Sequence, residues 1–113
     1  MRSRICRDFK KGTRNHTVNE LLAAAEDAPL GGRIVDECLA LAKVLVEKNA
    51  AYGNSALEPV RVFSRASAEE QILVRLDDKL SRLARGSAAG EDVVLDLLGY
   101  LVLLRIARRE GNP

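Results

Sequence analysis

Glu91-Asp92-Val93-Val94-Leu95-Asp96-Leu97-Leu98-Gly99-Tyr100-Leu101-Val102-Leu103-Leu104, wound as a helix, is apolar on almost every side, yet it carries two aspartates. A helix that is apolar all round is a buried one. The stretch therefore predicts a helix from about Glu91 to Arg109 set in an all-α core. Asp92 and Asp96 are four residues apart and fall one turn apart on the same side. Burying an ionised carboxylate costs several kcal/mol unless something pairs with it. A cation is the expected partner: a metal ion, or Lys and Arg from a neighbouring helix.

The rest of the chain also reads as helices. Thr17 and Glu20 make a capping box for a first helix that ends near Ala28, before Pro29 and Gly31-Gly32. A second runs from about Arg33 to Ala50, with Ile34, Cys38, Leu41, Ala42 and Leu45 as its apolar stripe. Gly53-Asn54-Ser55 ends it, and Ala51–Ala66 reads as a long loop with room for one helical turn. Ser67 and Glu70 cap a third helix that closes at Gly86, its apolar side being Ile72, Leu73, Leu76, Leu80 and Leu83. In the last helix, Glu91 and Asp92 near the start and Arg105, Arg108 and Arg109 near the end suit the helix dipole. The expected fold is all-α: a four-helix bundle-like domain over residues 17–113, completed by oligomerisation because three helices cannot easily cover the last one.

Composition agrees. At 113 residues and 47% hydrophobic, the chain can bury one core. With 4% aromatics and no Trp, that core is built from Leu, Val, Ile and Ala. Six basic residues and one acid fall in residues 1–14, and the remainder is net −3. Residues 1–16 thus read as a basic arm. Without stacking aromatics or a basic repeat they do not predict nucleic-acid binding. No apolar stretch follows the basic start, and apolar runs such as Tyr100–Leu104 are too short to span a membrane. Cys6 and Cys38 lack metal-ligand or Cys-x-x-Cys spacing and read as free thiols of a cytoplasmic protein.

Three polar groups stand out. Arg75, Asp78, Lys79 and Arg82 share one stripe beside the apolar face of the third helix. That is either an exposed row of ion pairs or a row aimed into a cleft. On the last helix Asp92, Asp96, Gly99 and Leu103 share a face, and a mid-helix Gly that costs about 1 kcal/mol against Ala implies a close approach there. Either Asp96 pairs with Arg75 or Lys79 in tight helix packing, or Asp92 and Asp96, with Asp78 or Glu91, bind Mg²⁺. Lys48-Asn49-Ala50-Ala51-Tyr52-Gly53-Asn54-Ser55 offers a cation, a stacking ring and two hydrogen-bonding side chains around a permissive Gly. It is also an ordinary helix C-terminus with a left-handed glycine.

In order, Lys48-x-x-x-Tyr52-Gly53-Asn54, Arg75-x-x-Asp78-Lys79-x-x-Arg82 and Glu91-Asp92-x-x-x-Asp96-x-x-Gly99-Tyr100 resemble the small phage and bacterial nucleotide-modification-associated domains. These are similar in turn to the MazG-type all-α nucleoside triphosphate pyrophosphohydrolases. The resemblance spans roughly residues 33–109. It implies an oligomeric helical bundle that binds a nucleotide with Mg²⁺ and, in the enzymatic relatives, cleaves a triphosphate to a monophosphate and pyrophosphate. On that reading Asp78, Glu91, Asp92 and Asp96 are catalytic, with Asp78, Asp92 and Asp96 as metal ligands. Lys48, Arg75, Lys79 and Arg82 meet phosphates, and Tyr52 and Asn54 meet base or sugar. The chain departs from those enzymes in having no Glu-x-x-Glu pair, for which Asp78, Glu37 or Glu70 would have to stand in. That departure supports a second expectation, a non-catalytic protein that sequesters a nucleotide or cyclic nucleotide. A structural bundle with buried ion pairs is the third.

Overall fold

The computed structural model describes residues 11–110 apart from residue 88, with side chains from His16 onward. Four α-helices follow in order: α1 (Lys11–Asp27), α2 (Gly31–Tyr52), α3 (Ala68–Arg85) and α4 (Val93–Arg109), with no strand among the described residues. The all-α class expected from the sequence is the one observed. No described helix is long and apolar enough to cross a membrane. The chain divides into two compact units, with the division between Ala42 and Lys43 inside α2.

In the first unit, α1 begins at Lys11, so it takes in the second part of the basic arm and Thr17 lies within the helix instead of capping it. Glu20 pairs with His16 one turn back, 3.3 Å away. Residues 1–10, including Cys6, lie outside the described residues. The turn from α1 to α2 is tight: Ala28 N–H donates to the Ala25 carbonyl at 3.3 Å and Gly31 N–H to the Ala28 carbonyl at 3.0 Å. Gly31 therefore opens α2, where the sequence suggested that it closes α1. A Cβ there would stand 2.0 Å from the Ala25 carbonyl oxygen, so only glycine fits. Among the described residues of this unit the buried apolar side chain is Val35, whereas Ile34, expected in the apolar stripe, is 56% exposed.

The second unit holds the main core. Leu57, Ile72, Leu104 and Ala107 form a buried cluster, and Leu73, Leu76, Tyr100, Leu103 and Ile106 pack against it. Ile72 is 1% exposed and Ala107 fully covered. Leu57 reaches this cluster from the α2–α3 loop, where Glu58 N–H donates to the Asn54 carbonyl at 2.8 Å in a single helical turn. Both ends of α3 match the sequence reading. The Ser67 hydroxyl accepts from Glu70 N–H at 3.0 Å, and Gly86 takes the left-handed conformation with φ 71°.

The reading of α4 needs correction in two respects. The helix begins at Val93, and Asp92 is its N-cap, with Oδ1 accepting from Leu95 N–H at 3.0 Å. A carboxylate at that position satisfies one of the free amides of the first turn. Asp92 is thus exposed and held by backbone. Nor is α4 covered all round: Val93, Gly99, Leu104 and Ala107 are buried, whereas Val94, Leu98 and Leu101 are 64%, 44% and 45% exposed. Leu80 and Leu83, expected on the buried side of α3, are half exposed as well.

Candidate functional site

The last turns of α2 deliver Lys48, Asn49 and Tyr52, and Gly53 then turns the chain with φ 72°. Gly53 N–H donates to the Asn49 carbonyl at 2.9 Å, and the Asn49 side-chain amide donates to the Gly53 carbonyl at 3.2 Å. These two hydrogen bonds between one pair of residues fix the direction in which Asn54 and Ser55 leave the helix. The left-handed glycine and the candidate ligand-contacting segment, which the sequence left as alternatives, are one and the same structure.

Gly99 lies at the middle of α4, buried. A Cβ there would stand 2.9 Å from Leu45 Cδ2. The close approach inferred from a mid-helix glycine is thus made by a leucine of α2. It brings the end of α2 beside α4 and leaves a cleft of about 330 Å³. The cleft is lined by Lys48, Tyr52, Asn54 and Ser55 from the first polar segment, Lys79 from α3, and Asp96, Gly99 and Tyr100 from α4. Val44, Leu45, Leu95 and Leu103 supply apolar wall.

Alongside runs a chain of charges of alternating sign. Lys79 Nζ is 3.2 Å from Asp96 Oδ2 and 3.8 Å from Glu91 Oε1. Glu91 also accepts a hydrogen bond from Arg82 Nη1, and Arg82 Nε is 3.5 Å from Asp78 Oδ2. The hydrogen bond that Arg82 donates to Glu91, then the charges of Glu91, Asp78 and Asp96, hold the Arg82 guanidinium above its ordinary pKa. The Lys79 side chain is 17% exposed and that of Asp96 24%, so their attraction is less screened by water than that of a surface pair, with a desolvation cost set against it. Lys79, not Arg75, is therefore the cation that meets Asp96, and neither group is deeply buried: no charged or polar residue is buried among the described residues.

Of the residues singled out in the sequence, Lys48, Tyr52, Asn54, Lys79 and Asp96 line the cleft. Glu91, Arg82 and Asp78 connect to it through the charge chain. Asp92 is taken up as a helix cap. Arg75 is exposed one turn before Lys79 and does not line the cleft. Among the described residues no group of three His, Cys, Asp or Glu side chains is placed to hold a metal ion. The two carboxylates that do converge are Glu91 and Asp96, both on Lys79 Nζ. The sequence placed Ser55 in the polar segment without giving it a role, and did not bring Val44 and Leu95 to the site. Ser55 follows directly on Asn54, but its place in the cleft depends on the Gly53 turn.

Comparison of the chain with protein-family models, with curated proteins and with solved structures finds no match.

Proposed function

We propose that the cleft binds a nucleotide. The observation that carries this reading is convergence: three segments distant in sequence, Lys48–Ser55, Lys79 and Asp96–Tyr100, line one cavity. Its size of about 330 Å³ falls in the range of small-molecule sites, about 300–1,000 Å³, and its makeup follows their pattern of apolar wall with a few polar groups. In this reading Tyr52 stacks on the base and Asn54 hydrogen-bonds to base or sugar. Lys48 takes the phosphate, with Lys79 behind it and Arg82 one link further along the charge chain. A small ion such as Mg²⁺ binds through one or two carboxylates together with ligand phosphates, and Asp96 and Glu91 are the pair suited to that. The same cleft serves a sequestering protein without further groups.

Isothermal titration with nucleoside mono- and triphosphates, with and without Mg²⁺, tests the reading. Binding of at least one nucleotide is expected, weakened tenfold or more by Lys48→Ala. No heat with any nucleotide would refute it.

Triphosphate hydrolysis is the second reading, favoured by the convergence of Glu91 and Asp96 on one point. When bound with the nucleotide, Mg²⁺ would supply charge neutralisation at the phosphates. Asp96 and Glu91 would hold it, and Lys79 and Arg82 would meet phosphate oxygens. Release of pyrophosphate that falls away in Asp96→Asn supports it. Turnover unchanged in that variant would sink it.

A further inference from the structure

We infer that, without a divalent cation, the cleft selects a nucleotide carrying a single phosphate over one carrying a polyphosphate chain. The inference deepens the nucleotide reading above and rests on it.

Three charged side chains line the cavity: Lys48, Lys79 and Asp96. Lys79 is already engaged by two carboxylates, Asp96 at 3.2 Å and Glu91 at 3.8 Å. Lys48 has no ion-pair partner among the described residues, so it is the lining cation left over for a ligand. A phosphomonoester carries about −1.5 to −2 at neutral pH, and a cyclic phosphodiester less. One free ammonium, with Asn54 and Ser55 as neutral donors, answers a charge of that size. A triphosphate asks for more. To meet it, Lys79 would have to leave Asp96, and Asp96 would then face the phosphates as an uncompensated like charge. Its side chain is 24% exposed, so salt and water screen that repulsion less than they would at the open surface. The remaining wall, Leu45, Leu95, Leu103 and Tyr100, suits the uncharged part of a ligand, a base and sugar. It brings no further cation to a longer phosphate chain.

The test is titration of the full chain in EDTA with the 5′-monophosphate, the 3′,5′-cyclic monophosphate and the 5′-triphosphate of adenosine, guanosine, cytidine and uridine. For whichever base binds, a one-phosphate form is expected to bind at least tenfold more tightly than the triphosphate. Asp96→Asn, with its fold checked by circular dichroism, removes the like charge and leaves Lys79 held only by Glu91 at 3.8 Å. It should narrow that gap by strengthening triphosphate binding. A triphosphate that binds the unaltered chain as tightly as either one-phosphate form, or a gap that Asp96→Asn leaves unchanged, overturns the inference and leaves the nucleotide reading standing. Binding of none of these compounds overturns both.

Discussion

Gly31 and Gly32 are adjacent, both helical, and both conformationally ordinary, since the glycines with positive φ are Gly53, Gly86 and Gly90. Replacing either by alanine brings the same gain in helix propensity, at most about 1 kcal/mol. What differs is the space. At Gly31 the new Cβ would lie 2.0 Å from the Ala25 carbonyl oxygen and 2.6 Å from Ala25 Cα, whereas at Gly32 it meets nothing within 4 Å. Ordinary van der Waals contact of a Cβ is 3.4–4 Å, so α1 and α2 would have to part by more than about 1 Å. The obstructing atoms are backbone and cannot rotate away. Overpacking of this kind costs about 1–3 kcal/mol, and because propensity cancels between the variants, that cost is their expected difference in stability. Each kcal/mol corresponds to about 4–8 °C in Tm for a domain of about 60–100 residues. The assay is urea and thermal unfolding of both variants followed by circular dichroism. Amide exchange in α1 and in α2 up to Ala42 would localise the change. Gly31→Ala should fall below the unaltered chain with faster exchange there, and Gly32→Ala should match or exceed it. Equal stability of the two variants would refute the steric argument.

Three further outcomes are expected. Ile72→Ala, at the most covered large side chain of the core, should cost about 2–5 kcal/mol by urea unfolding; a loss under 1 kcal/mol would mean the site is not packed as described. Asp92→Ala should cost about 1 kcal/mol as a lost N-cap, with Asp92→Asn close to neutral and nucleotide affinity in EDTA unaltered by either; an affinity loss in both would place Asp92 at the ligand. The apolar stripe Val94, Leu98 and Leu101 on α4 supports self-association, so light scattering at micromolar concentration should report a dimer or larger and Leu98→Glu a smaller species. A monomeric mass for the unaltered chain would end that proposal.

Much of the local structure was legible because it depends on local chemistry. Ser67 three residues before Glu70 marks a helix start wherever it occurs, and Gly86 after a run of helix formers marks an end. The period of Ile72, Leu73 and Leu76 already names the face that packs on the core. Besides that of α2, which opens at Gly31, two starts were misplaced for reasons that are equally physical. Asp92 serves as cap because the free amides of the next turn take its carboxylate, and a sequence offers both that use and an in-helix aspartate. Thr17 resembles a cap but is overridden by helix running in from Lys11.

The candidate site divides along the same line. Composition and periodicity by themselves determined an all-α chain with a Leu-, Val-, Ile- and Ala-rich core, and they set Lys79 and Asp96 apart together with Arg75, Asp78, Arg82 and Asp92; Lys48, Tyr52 and Asn54 read by themselves as an ordinary helix end and became candidates through the family resemblance. They could not decide which charges meet, because Arg75 and Lys79 lie on one helical stripe and differ only in how α3 lies against α4. Tertiary structure decided that Lys79 faces Asp96 and Glu91 while Arg75 stays in water. It also decided that Leu45 fills the space at Gly99 and that the cleft opens beside it. Helical spacing fixes the angle of a side chain about its own axis, but the neighbour it meets depends on the packing of other helices, which no local pattern encodes.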